Sequence, residues 1–134
     1  MNRRKLRESV FKLLFSEPFF EKSEYLIMID RILNNEDCVV SEQDRLFVKE
    51  SVIKILDKLE IIDSKISDNT RSWSIDRINK TLLSILRLGI YEILFDDEVP
   101  NKVAINEAIE LSKSYADKDS FSFINALLAK VMNE

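Results

Sequence analysis

Residues 85–95 read ILRLGIYEILF, and the apolar side chains of this stretch fall at the spacing of an α-helix. With Leu82 in front, they recur every three or four positions through Leu94, which is typical of a helix with one face buried. The segment Asp96-Asp97-Glu98-Val99-Pro100 follows as a loop, because proline suits the boundary of an element. Residues 103–115 and 121–132 repeat the helical spacing. We expect three helices here, with Gly89 allowing two of them to approach closely.

The N-terminal half shows the same period. The spacing predicts a first helix over residues 3–16, with Asn2 as its N-cap and Pro18 beyond its end. A second helix is expected after Ser23 as cap. Its predicted inward residues are Leu26, Ile29, Ile32 and Leu33.

A third helix is expected after residues 41–44, Ser-Glu-Gln-Asp, which resemble a capping box. It reaches Leu59 or Glu60, and residues 61–67 form another helix. The predicted inward residues of the third helix are Phe47, Val48, Val52, Ile55, Leu56 and Leu59. Ser74 to Arg77 begin a short helix. With one glycine and two prolines in the chain, the sequence predicts an all-α fold of about seven helices.

The polar stretch 67–72, Ser-Asp-Asn-Thr-Arg-Ser, is the most polar interruption in the middle of the chain. We interpret it as a hinge. Residues 1–134 would then form a single domain with an N-terminal helical lobe at about 1–68 and a C-terminal helical lobe at about 72–134.

The composition excludes several classes of function. Without any histidine, neither a zinc site of the usual kind nor a histidine-based catalytic dyad can be assembled, and the single cysteine, Cys38, cannot form an internal disulfide. We expect Cys38 to be a buried, inert thiol. Because the chain has a single glycine, it cannot contain a glycine-rich loop that holds phosphates. The sequence therefore predicts no enzyme, no cofactor and no metal. It also has no apolar run long enough for a membrane span or a signal peptide, which predicts a cytoplasmic protein.

Positive charge is concentrated at the start of the chain, although the formal net charge is −4. The cations are Arg3, Arg4, Lys5 and Arg7. Cations in the first turn of a helix oppose its dipole, which suggests a compensating anion. On a helical wheel Arg4 aligns with Phe11 and Phe15, and cations interleaved with aromatic rings suit single-stranded nucleic acid. Taken alone, the two phenylalanines are favoured as core residues and the cations equally suit a solvated helix end.

The ordered motifs of the chain resemble those of the NusB family of bacterial transcription antitermination factors. They are the arginine-rich start RRKLRESVFKLLF at 3–15, the mid-chain Trp73, and ILRLGIYEILFDDEVPNKVAINEAIELSKSYADKDSFSFINALL at 85–128. The resemblance implies a fold of two small helical bundles. It also implies RNA binding without catalysis, in which the protein pairs with the ribosomal protein NusE to hold boxA RNA in the RNA polymerase antitermination complex, notably on ribosomal RNA operons.

The resemblance also implies where RNA and protein bind. The residues it assigns to RNA are Arg3, Arg4, Lys5, Arg7 and Phe15 in the first helix, and Tyr115, Asp119, Ser120 and Phe123 near the last one. Lys102 and Lys113 add possible phosphate contacts, although they are equally well explained as solvated lysines. Asp119 and Ser120 also suit a helix N-cap. The partner surface is expected around Asp76, Arg77 and Leu82.

In the turn before the ILR motif, where the family commonly has an acidic residue, this chain reads Lys-Thr-Leu-Leu-Ser at 80–84, and a leucine at 82 still suits a partner surface. Ala116 and Ala126 stand where the family commonly has glycine. A salt bridge to the partner therefore cannot be carried over to position 82.

Other matched residues have structural explanations. Arg87 and Glu92 lie five residues apart, too far for a regular pair within one helix, so each needs a partner elsewhere. Asn106 and Asn125 are expected to be buried and hydrogen-bonded. Tyr91 and Trp73 are expected to be packing residues.

Two alternatives remain open at this point. The chain also suits a NusB-like helical module of an RNA methyltransferase system, although its sequence ends without a glycine-rich cofactor domain. The other alternative is a protein-only helical adaptor or homodimer, in which the basic end meets an acidic surface.

Overall fold

The computed structural model of the chain describes residues 2–34, 41–70 and 75–134. The predictions placed on Cys38, on Trp73 and on positions 71 and 72 of the hinge lie outside these ranges. Within them the chain forms seven α-helices and two 3-10 turns, with no strand, which confirms the all-α prediction. The helices are α1 Arg3–Ser16, α2 Lys22–Leu33, α3 Glu42–Asp57, α4 Leu59–Asn69, α5 Lys80–Phe95, α6 Asn101–Tyr115 and α7 Ser120–Met132. The 3-10 turns are Glu17–Phe19 and Ile75–Arg77.

Side-chain caps fix the start of two helices in the first half of the chain. The Asn2 Oδ1 atom accepts a hydrogen bond from the backbone N–H of Lys5 at 2.8 Å, which confirms Asn2 as the cap of α1. The Ser41 Oγ atom accepts one from the backbone N–H of Asp44 at 3.1 Å, as a capping box requires. The prediction for Ser23 is wrong, because α2 already begins at Lys22.

The contacts divide the chain into two compact units, Met1–Leu56 and Asp57–Glu134. The division falls earlier than the predicted hinge at 67–72. Helix α4 explains the difference, since it runs on to Asn69 and packs against α5 and α7 of the second unit. Two of its apolar residues, Ile62 and Ile66, are buried there.

The first unit buries one face of each of its helices. Val10 and Leu14 of α1, Ile29 of α2 and Val52 of α3 are almost completely buried. Tyr25, which the apolar pattern did not single out, is also buried, and its hydroxyl donates a hydrogen bond to the Leu13 carbonyl.

Two predicted inward residues of the first unit are in fact exposed. Ile32 lies at the margin of the apolar face of α2, and Phe47 lies beside Val48, which takes the buried position on α3. Because consecutive residues point about 100° apart on a helix, Ile32 and Phe47 point in directions different from those of their buried neighbours Leu33 and Val48.

Helix α5 is the centre of the second unit. Every residue from Leu82 to Ile90 is buried, because α4, α6 and α7 all pack against it. A β-carbon added to Gly89 would lie 3.0 Å from Leu128 Cδ1 and 3.7 Å from Ala108 Cβ. The glycine therefore allows α6 and α7 to approach α5 closely, as the sequence predicted.

Candidate nucleic-acid interface

The first turn of α1 presents cations to solvent. It contains no acidic residue, and the side chains of Arg3, Arg4 and Lys5 are exposed. Arg7 is half-buried, and both Arg4 and Arg7 also take part in interactions within the protein. This turn therefore combines side-chain cations with the partial positive charge of a helix N-terminus, an arrangement that attracts anions.

The two phenylalanines aligned with Arg4 have opposite environments. Phe11 is buried, as the core interpretation predicted, whereas Phe15 is 38% exposed. The core interpretation is therefore wrong for Phe15. The two rings are one turn apart on the same side of α1. Their difference in burial therefore depends on what packs against each ring, which the spacing of the residues does not show.

Beyond Phe15, the chain exposes two further aromatic rings that the sequence analysis did not select. Phe19 is 62% exposed and Phe20 is 42% exposed. The ring centroids of Phe15 and Phe19 are 6.0 Å apart, with the rings tilted by 50°. The sequence feature that could have indicated these rings is the cluster FSEPFF at 15–20. Pro18 interrupts the regular helix there, so the helical spacing no longer directs the later rings to the buried face.

A second candidate segment lies between α6 and α7 in the second unit. Tyr115 and Asp119 are exposed there, while Ser120 and Phe123 are half-buried. Asp119 occupies the N-cap position of α7, but its side chain makes no capping hydrogen bond. The capping role predicted for it is therefore not seen, and its carboxylate remains at the surface.

Helix α6 carries the two predicted lysines on its surface. Lys102 is exposed, and the Lys113 Nζ atom lies 3.1 Å from Glu110 Oε1 in an exposed pair. Asn106 on α6 and Asn125 on α7 are exposed, so the prediction that they are buried is wrong.

The segment predicted to meet a protein partner is only partly at the surface. Asp76 and Arg77 are exposed on the 3-10 turn that precedes α5. Leu82 is only 9% exposed, because it lies in the first turn of the buried helix α5. Leu82 therefore offers little exposed area to a partner.

Arg87 belongs to the core of the second unit. Its Nε and Nη2 atoms donate to Asp63 Oδ1 and Oδ2 at 2.9 and 2.8 Å, a paired geometry that joins α5 to α4. This confirms that Arg87 needed a partner outside its own helix. Glu92, also buried, takes part in an interaction within the protein as well.

The described ranges hold no cluster of three or more His, Cys, Asp or Glu side chains that would suit a metal ion. None of the helices in the described part of the chain has the length and apolar character needed to cross a membrane.

Comparison with known proteins shows the family to which the chain belongs. The sequence profile of the NusB family matches residues 4–133. The transcription antitermination protein NusB of Agathobacter rectalis is 39% identical over 130 residues, which cover 97% of this chain and 98% of that protein. The protein of the same name from Clostridium botulinum is 39% identical over 134 residues and all of both chains.

A solved structure agrees with the sequence matches. The crystal structure of Thermotoga maritima NusB superposes with a TM-score of 0.88 at 30% identity, covering 100% of this chain and 92% of that one. Fold and sequence together define a helical transcription antitermination protein, a class that is not enzymatic. The chain belongs to the NusB family.

Proposed function

We propose that this protein binds boxA-type single-stranded RNA together with the ribosomal protein NusE, and thereby supports antitermination of ribosomal RNA operon transcription by RNA polymerase. The observation that carries the proposal is the exposed cationic first turn of α1 in a chain of net charge −4. Phosphates of a bound strand would relieve the repulsion between these cations and the helix dipole.

The residues offered to RNA lie in both units. In the first unit they are Arg3, Arg4, Lys5, Arg7 and Phe15, and in the second Lys102, Lys113, Tyr115, Asp119, Ser120 and Phe123. Single-stranded RNA is bound through its phosphates by cations and through its bases by aromatic faces and hydrogen bonds. Both kinds of group are exposed in each of the two sets. NusE is proposed to contact the turn around Asp76 and Arg77.

The test compares two triple variants by their affinity for a boxA-type RNA across a salt series, with and without NusE. Arg3→Ala/Arg4→Ala/Lys5→Ala removes the three exposed cations in the first turn of α1. We expect its affinity to fall and the slope of log K against log salt to flatten by up to about 0.7 for each lost phosphate contact.

The matched control is Lys22→Ala/Arg31→Ala/Lys54→Ala. It removes three exposed cations from α2 and α3 of the same unit and changes the net charge equally. We expect its salt slope to remain that of the wild type. Equal slopes for both triple variants would contradict a specific RNA role for α1, and NusE binding without any RNA affinity would favour the adaptor function instead.

A further inference from the structure

We propose that Phe19 joins Phe15 in a two-ring platform on which a base of the bound single-stranded RNA stacks. This inference rests on the proposed RNA binding and extends the site beyond the end of α1, to a residue outside the motif match that pointed to Phe15.

The platform is held in place before any ligand arrives. Phe19 ends the 3-10 turn Glu17–Phe19, and the backbone N–H of Phe20 donates to the Glu17 carbonyl at 3.3 Å to close it. Pro18 fixes one backbone torsion inside the turn. With 6.0 Å between ring centroids and a 50° tilt, a planar base can lie flat on one ring while its edge approaches the other.

Exposure of these rings is costly without a ligand. Burying a phenylalanine contributes about 1.5 to 3 kcal/mol relative to leaving it in water, yet Phe19 is 62% exposed and Phe15 38%. Phe20, the next residue in the chain, is also exposed. Contiguous exposed apolar surface is typical of binding sites, and the contact between the Phe15 and Phe19 rings makes their exposed surface contiguous.

The charges on the same helix favour RNA as the occupant. Lys12 is exposed and lies three residues before Phe15, so the two side chains are neighbours on the helix surface. Lys5 lies two turns earlier on the same line, next to the exposed Arg3 and Arg4. A strand whose phosphates follow these cations along α1 reaches the ring pair at the end of the helix.

Stacking, rather than phosphate contact, is expected to dominate at the rings themselves. Lys12 Nζ lies 3.7 Å from Glu8 Oε1, so part of its charge is already compensated. The two halves of the first-unit site should therefore differ in salt dependence, because stacking releases no counterions whereas phosphate contacts do.

The experiment measures the affinity of Phe19→Ala for the boxA-type RNA across a salt series, in the full chain with and without NusE. We expect at least about fivefold weaker binding with an unchanged salt slope, since base stacking on one aromatic side chain typically contributes this much or more. Phe19→Tyr should bind like the wild type, because it keeps the ring, and Phe19→Leu should resemble Phe19→Ala.

Phe47→Ala is the matched control, since Phe47 is 52% exposed on α3 of the same unit. Its RNA affinity should equal that of the wild type. Thermal unfolding of each variant checks that the fold is retained.

A cycle with modified RNA identifies the stacked base. Removing one base at a time from the RNA should reveal a position at which Phe19→Ala causes no further loss, because the ring and the base then act as one interaction.

The outcomes separate this inference from the proposed function. If the wild type binds no boxA-type RNA, the proposed function fails. If it binds, and Arg3→Ala/Arg4→Ala/Lys5→Ala weakens it while Phe19→Ala matches Phe47→Ala, only the platform is overturned. If Phe19→Ala weakens NusE binding and leaves RNA affinity unchanged, the rings are a protein contact and the platform is equally overturned.

Discussion

The start of α1 and the middle of α5 place the same kind of charge in opposite environments. Arg3 and Lys5 are exposed at a helix start that has no acidic residue in its first turn. Arg87 is 5% exposed and donates two hydrogen bonds to the Asp63 carboxylate. A family motif can therefore contain an arginine used by the fold itself, whereas Arg3 and Arg4, which we propose to bind RNA, remain at the surface.

Breaking the buried pair should have the largest effect on stability. Asp63→Ala leaves the Arg87 guanidinium buried without its carboxylate, and we expect a loss of about 3 kcal/mol in the free energy of unfolding measured in urea. Asp30→Ala is the control, because Asp30 pairs with Lys49 at 2.6 Å in a half-exposed setting, and its loss should stay below about 1 kcal/mol. Equal losses in the two variants would contradict the distinction between buried and exposed pairs.

A smaller effect is expected at the close approach in the same helix. Gly89→Ala gains helix propensity of about 1 kcal/mol but places a β-carbon 3.0 Å from Leu128 Cδ1, so we expect a net loss of about 1 kcal/mol by thermal or urea unfolding. In a Leu128→Ala background the crowding disappears, and Gly89→Ala should then stabilise the protein. A loss of the same size in both backgrounds would show that crowding against Leu128 is not the cause.

The smallest effect should come from an exposed pair in the second unit. Glu134 Oε2 lies 2.9 Å from Lys65 Nζ, and Glu134 Oε1 accepts from Asn69 Nδ2 at 3.1 Å. The hydrogen bonds from Lys65 and then Asn69 lower the pKa of Glu134 below its ordinary 4.5, and the hydrogen bond to Glu134 raises the pKa of Lys65 above its ordinary 10.5.

The sign of the pH effect follows from these directions. The contribution of Glu134 is present above pH 4.5 and is lost as the pH falls through its lowered pKa, while that of Lys65 is present below pH 10.5 and is lost as the pH rises through its raised pKa. We expect Glu134→Gln to lower Tm slightly at neutral pH and to match the wild type in strong acid. A difference that persisted in strong acid would contradict an ionic origin.

Helix content and several helix starts were predictable because they depend on local chemistry. The range 3–16 for α1 and the caps Asn2 and Ser41 agree with the structure, since capping depends on residues within one turn. The end of α4 was not predictable in this way. Residues 67–69 are polar enough for a loop, yet they continue the helix, and Asn69 bonds both the Lys65 carbonyl and the Glu134 side chain.

The candidate site was predictable in its charges and less so in its rings. Arg3, Arg4 and Lys5 stood out because cations at a helix start are unusual, and they are exposed. Phe15 and Phe11 share one side of α1, so only tertiary packing separates the exposed ring from the buried one. The burial of Leu82 likewise depends on packing, because the neighbours of α5 cover its first turn as well as its middle.

The central position of α5 also constrains how the protein is made. Helices α6 and α7, which pack against α5, follow it in the chain. During synthesis the apolar residues of α5 therefore leave the ribosome before these two helices do. The first unit can assemble while the second is still being translated, because its helices precede α5. Until residues up to Met132 have emerged, the apolar side chains from Leu82 to Ile90 lack the packing that α6 and α7 provide in the folded protein.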